Sequence, residues 1–236
     1  MTVFAAASLR HSFERLAERY RDVAPGTSIT FAFDASSAHR ARLEQGARAD
    51  VFAAADVVNP QAVADAGLAA AAPRTFAGNT VVLVTPSDDP AGIATPMDLA
   101  RPGVRIIGAG EPVPIARYAT QVVTALGARA DAPLDYAAKV AANVVSREDD
   151  VAAVVAKLRL GEGDAGFVYA TDAQRVPELR VVELPPEANV VAAYAVIGLR
   201  DAPHPDDAQA FLEWLLRADA QAVLREHGFR APPGPP

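Results

Sequence analysis

The chain has 236 residues, 51% hydrophobic and 22% charged, an ordinary globular composition long enough for two compact lobes or one large domain. A formal net charge of −7 with no Lys/Arg-rich run argues against nucleic acid or an anionic membrane surface as partner, and no apolar stretch reaches bilayer-spanning length. The absence of cysteine excludes disulfides and thiol chemistry, which suits an exported protein.

The run Thr2–Ala6 reads as a strand, and Phe13, Leu16, Ala17 and Tyr20 then recur at helical spacing until Pro25-Gly26 breaks the helix. Met1 stands directly before that strand, so no signal peptide is expected within this sequence, and an export signal would lie outside it. Thr27–Phe33, rich in β-branched and aromatic residues, predicts a second strand leading through Ser36-Ser37 into a helix that runs to about Gly46. Asp50–Ala53 is a third strand, and Asn59-Pro60 opens a helix ending near Gly67. Repeated strand–helix units predict an α/β protein with mainly parallel sheets.

The middle of the chain repeats the scheme. Thr80–Thr85 is a strand ended by Pro86, Val104–Ile107 is another, and Pro114 begins a helix with Ala119, Val122, Val123 and Leu126 on its apolar face. Val144-Val145 leads into Ser146-Arg147-Glu148-Asp149, a capping-box pattern, before a helix carrying Val151, Val154, Val155 and Leu158. Gly163–Tyr169 is a short strand, Val181–Leu184 and Val190–Leu199 are extended, and Ala208, Phe211, Leu212, Leu215 and Leu216 mark the closing helix. The tail from Pro232 to Pro236 is expected to be disordered.

Two serine-bearing turns stand out. Phe4-Ala5-Ala6-Ala7-Ser8-Leu9 and Phe33-Asp34-Ala35-Ser36-Ser37-Ala38 each lie where a strand stops and a helix starts. A helix N-terminus offers unpaired N–H groups and the positive end of its dipole, and a serine there adds a hydroxyl, so such a turn can hold an anion. Each serine could instead simply cap its own helix.

These turns belong to a longer series. Thr2–Leu9, Ala49–Asp56, Gly78–Val84, Val113–Ala119, Glu148–Val151 and Gly166–Tyr169 resemble, in order, segments of the molybdate-binding proteins that serve bacterial ABC transporters, over residue 2 to Phe229. The resemblance implies a two-lobed periplasmic-binding-protein fold of type II, each lobe a mainly parallel sheet flanked by helices, with the ligand cleft between the lobes. Lobe one would be 1–79 plus 190–236 and lobe two 80–189, with hinge crossings at Asn79-Thr80 and near Asn189-Val190.

The ligand implied is the tetrahedral oxyanion molybdate or tungstate, its molybdenum or tungsten held only within the oxyanion, with no direct protein–metal ligands and no cofactor. Carried over residue by residue, the contacts would be the hydroxyl and amide of Ser8, Ser36 with Ser37 beside it, the backbone amides of Ile115 and Val151, and the Tyr169 hydroxyl. Neutral donors suffice, because a dianion paired with local dipoles needs no full countercharge. The Val151 amide is available only if its helix starts near Asp149, with Asp149 as N-cap, and not at Ser146. Asp34 stands near the second turn where many relatives carry a hydroxyl residue, and Ile115 is bulkier than the residue often found there.

The implied partners are the oxyanion and the membrane subunits of an ABC permease, for a monomeric protein held in the periplasm or by a lipid anchor outside the cytoplasmic membrane. A cytosolic oxyanion-sensing domain of a regulator and a sulfate-type binder are the alternatives. Enzyme function is not expected. His11, His39, His204 and His227 lack metal-ligand spacing and read as surface or helix-end residues, and His39, although close to Ser36 and Ser37, has no acid placed to orient it.

Overall fold

The computed structural model describes residues 1–233, so the expectation for the tail lies, from residue 234 on, outside the described residues. The chain divides into two compact units, Met1–Asn79 with Ala192–Pro236, and Thr80–Val191. It passes from one to the other at Asn79-Thr80 and returns at Val191-Ala192.

In the first unit, β1 (Thr2–Ala6) leads through a 3-10 turn at Ala7–Leu9 into α1 (Arg10–Val23). β2 (Thr30–Asp34) leads into α2 (Ser36–Glu44), and β3 (Val51–Ala54) into α3 (Val58–Asp65). β1 pairs in parallel with β2 on one side and β3 on the other. The long β4 (Arg74–Pro86) carries the first crossing, and its polar opening Arg74-Thr75 conceals a strand that begins ahead of the expected Thr80.

In the second unit, β5 (Ile106–Ala109) precedes α4 (Pro114–Gly127) and α5 (Tyr136–Ala142). β6 (Val144–Glu148) precedes α6 (Val151–Arg159), and β7 (Ala165–Tyr169) runs into the one-turn α7 (Ala170–Ala173) and then β8 (Leu179–Val182). β5 lies parallel to both β6 and β7, while β4 is antiparallel to β7 and β8. Returning to the first unit, β9 (Val191–Gly198) pairs antiparallel with β3, and α8 (Pro205–Leu215) and α9 (Ala218–Glu226) close the chain. Each unit therefore combines a set of parallel strands, β2-β1-β3 in the first and β6-β5-β7 in the second, with antiparallel partners.

Burial of apolar faces holds each unit together. In the first, Phe13, Tyr20, Phe76 and Phe211 are at most 2% exposed, and Phe13 meets Phe76 and Phe211 at centroid distances of 5.9 and 6.4 Å. In the second, Val122 and Leu126 of α4, Val154 and Leu158 of α6 and Val168 of β7 are at most 1% exposed. Gly166 admits β7 against β5: a Cβ there would stand 2.9 Å from the Ile107 carbonyl oxygen.

The capping-box reading at Ser146 is corrected here. Ser146 and Glu148 lie inside β6, where the Ser146 hydroxyl donates to Glu148 Oε1 and accepts from Lys157 Nζ at 2.8 Å. Their spacing matches a cap, but Val144-Val145 and pairing with β5 extend the strand through them. The helix begins at Val151, and Asp150, one residue beyond the expected Asp149, is its N-cap.

Candidate functional site

Strand register places the two serine turns side by side. Ala6 of β1 stands opposite Asp34 of β2, and each serine follows two residues later, so Ser8 and Ser36 emerge at the carboxyl edge of neighbouring parallel strands. Adjacent strands are about 4.8 Å apart, within reach of one small ligand, and the carboxyl ends of parallel strands are where α/β proteins bind ligands.

Neither serine is a helix cap. The N-cap of α2 is Ala35, and Ser36 is the first residue inside the helix. The intrahelical ladder opens with the His39 N–H donating to the Ala35 carbonyl at 3.0 Å, so the amides of Ser36, Ser37 and Ala38 precede it. The Ser36 hydroxyl, 1% exposed, accepts the Ala55 N–H at 3.0 Å, leaving its own proton to be donated. Ser37 beside it is half-buried. Ser8 Oγ, in the 3-10 turn, lies 2.8 Å from the Tyr194 hydroxyl, which also accepts from Asn79 Nδ2 at 3.4 Å.

The nearby carboxylate is turned away from the serines. Asp34 Oδ1 accepts the Ala35 N–H at 2.8 Å, and Oδ2 is ion-paired with Arg42.

In the second unit β5, β6 and β7 run the same way, so Ala109, Glu148 and Tyr169 end at one carboxyl edge and the starts of α4, α6 and α7 gather there. Pro114 opens α4 without an N–H, and the Ala116 N–H is already spent on the Val113 carbonyl at 3.0 Å. Ile115 supplies the first amide of that helix. Its side chain, 2% exposed, is buried and lines an open pocket with Ala119, Val140 and Phe167.

At α6 the Asp150 carboxylate accepts the Ala153 N–H at 2.8 Å, and the Val151 amide, at the first helical position, lies ahead of the ladder. Tyr169, 1% exposed, ends β7 with its ring set edge-on to Tyr118 at 6.5 Å. Its N–H donates to Asp172 Oδ2 at 3.3 Å. Burial pushes the Asp172 carboxyl up to about 7, with the Asp150 charge adding to the rise and the Tyr169 N–H opposing it.

The structure thus brings Ser8, Ser36 and Ser37 together at one sheet edge and Ile115, Val151 and Tyr169 at the other. None of these residues is cationic. Sequence reasoning missed Tyr194, Asn79 and Ala55, whose partners lie 186, 115 and 19 residues away. Only strand pairing could have revealed them.

The histidines divide. His204 and His227 sit at helix ends, as expected, but His39 is wholly buried inside α2, stacked on Phe4 at 4.7 Å with Nε2 3.2 Å from the Ala5 carbonyl oxygen. Burial lowers its pKa to about 4, so it is a neutral core residue. Among the described residues no group of three His, Asp or Glu side chains is placed to hold a metal ion, and no helix is long and apolar enough to cross a membrane.

Comparison with known proteins gives concordant results. A family model described as bacterial extracellular solute-binding protein matches residues 1–230. The molybdate-binding protein ModA of Mycobacterium tuberculosis is 36% identical over 233 residues, covering 98% of this chain and 85% of that protein. Among solved structures, the periplasmic molybdate-binding protein of Azotobacter vinelandii superposes with a TM-score of 0.81 at 21% identity, over 99% of this chain and 100% of that one. The sulfate-binding protein SubI of Mycobacterium tuberculosis gives 0.85 at 20% identity, over 100% and 87%. The two structural likenesses show the fold, that of the type II periplasmic binding proteins.

Proposed function

Because the chain belongs to the bacterial extracellular solute-binding protein family, we propose that it captures molybdate, and tungstate, outside the cytoplasmic membrane and delivers it to the membrane subunits of an ABC permease. The observation that carries this reading is the donor set: hydroxyls and helix-start amides at the carboxyl edge of each sheet, with no Lys or Arg among them. A tetrahedral dianion has four oxygens and no proton, so it accepts from every side and asks the protein for donors alone. Dipolar donors fixed by strand and helix meet that demand without reorganisation.

In this reading Ser8, Ser36, Ile115, Val151 and Tyr169 serve the oxyanion, Ser37 supports Ser36, and the protein acts as a monomer. The name of the mycobacterial relative supports the choice of molybdate over sulfate.

Thermal melts with matched concentrations of molybdate, tungstate, sulfate and phosphate test the assignment. A ligand at about 100 times its Kd adds roughly 2.7 kcal/mol of stability, so molybdate and tungstate should each raise Tm clearly and the other two far less. A larger shift with sulfate, or none with molybdate, overturns the proposal.

A further inference from the structure

The guanidinium of Arg10 joins the two serine turns. Arg10 is the first residue of α1, two places after Ser8, and its Cζ lies 4.5 Å from the centroid of the Phe33 ring, in the strand that leads to Ser36. Phe33 stands opposite Ala5 in the β1–β2 ladder, so the charge is held beside the edge where both serines emerge. Arg10 is exposed, and among the described residues it forms no ion pair, although Glu14 follows at the i+4 spacing that gives one on many helix surfaces.

The stability of α1 does not call for a cation at this place. A helix start favours negative charge, yet the first turn of α1 carries no acidic residue and begins with Arg10. The other charges around the serine turns are matched: Asp34 with Arg42, and Arg40 with Glu44 at 3.2 Å. His39, its pKa lowered to about 4 by burial, is neutral. Among the described residues of the two turns, Arg10 is therefore the charge left unmatched, and it is positive on a chain whose formal net charge is −7.

Resting on the oxyanion reading above, we infer that Arg10 is a steering residue, which draws the dianion to the serine turns and speeds its arrival without contacting it once bound. A dianion that approaches an acidic protein is repelled at long range, and a cation fixed at the rim of the site reverses that field locally. The Phe33 ring does the fixing, because its face attracts the guanidinium and leaves the other side of that group in water. In water, one positive charge about 10 Å from a dianion raises its local concentration about fourfold at low ionic strength, and physiological salt screens most of this. A solvated charge of this kind acts on the rate of encounter, while the hydroxyls and amides set how long the ion stays.

Stopped-flow mixing with molybdate, followed by intrinsic fluorescence at about 10 mM and about 500 mM salt, gives the association rate with and without screening. Calorimetric titration under the same conditions gives Kd, the product of the two gives the dissociation rate, and apo melts show that each variant is folded. Arg10→Gln should slow association about fourfold at low salt and scarcely at high salt, with the dissociation rate unchanged. Arg10→Glu should slow it by about the same factor again. Arg10→Lys keeps the charge and should associate at nearly the wild-type rate. Association as fast as wild type in Arg10→Gln at low salt overturns the inference. Faster dissociation with association unchanged also overturns it, because Arg10 would then be a contact of the bound ion. A Lys variant as slow as the Gln variant overturns it too, since stacking and not charge would carry the effect. In these three cases molybdate still binds and the ligand assignment stands. A wild-type protein that takes up no molybdate in the titration overturns that assignment and this inference with it.

Discussion

The Asp150 carboxylate accepts the Ala153 N–H at 2.8 Å, and this bond fixes where α6 begins and which amide is left over. With Asp150 as N-cap, Val151 is the first helical residue and its N–H points out of the helix start. The cap also brings a negative charge close to the proposed anion contact. Asp150→Ala should therefore lower stability by about 1 kcal/mol. Asp150→Asn retains a capping oxygen and removes the charge, so stability should change little while molybdate affinity rises severalfold. Denaturant unfolding and titration of both variants check this. A fall in affinity for Asp150→Asn would mean that Val151 does not face the ligand.

His39 gives the chain a pH dependence with a definite sign. Its pKa is lowered to about 4, first by burial and further by the Arg42 charge, while the Asp34 charge and the Ala5 and Ala32 carbonyls act in the opposite direction. Between about 6.5 and 4 the unfolded chain binds a proton at this residue and the folded chain does not. Stability should fall as pH drops through that window, by on the order of 3 kcal/mol at its lower end. His39→Gln keeps an N–H donor toward Ala5 and has nothing to titrate. Its unfolding free energy should run flatter than wild type over this window, and parallel pH profiles would assign the dependence elsewhere.

What the sequence revealed of the site and what it concealed have different physical causes. Ser8, Ser36 and Ile115 stand at strand-to-helix turns, where local propensity and the positions of Ala, Ser and Pro mark a helix start within a few residues. Val151 opens α6, but the residues before it were misread: Ser146 and Glu148 have cap spacing, and only the pairing of β6 with β5 converts them into strand residues. Tyr194 and Asn79 carry no local signal, because an aromatic in β9 and an amide in β4 look like core residues until the fold brings them to Ser8. His39 was read as a surface or helix-end residue for a similar reason. α2 has little amphipathic contrast in its sequence, and the stack on Phe4 that buries the imidazole joins two separate elements.

Tyr169 distinguishes a ligand contact from a core aromatic. Its ring is 1% exposed and packs edge-on to Tyr118, which alone would suit either role, but it ends β7 at the carboxyl edge that also presents Ile115 and Val151. Tyr169→Phe preserves the ring contact and removes only the hydroxyl. If that hydroxyl donates to the oxyanion, affinity should fall by roughly 1.5–3 kcal/mol, about ten- to a hundredfold, because a hydrogen bond to a charged acceptor is lost. The apo Tm should be nearly unchanged, since no packing is disturbed. If the hydroxyl serves the interior of the unit, the outcome inverts: the apo protein melts earlier and molybdate affinity is retained. Titration of the variant beside an apo melt separates the two, and wild-type affinity would remove Tyr169 from the site.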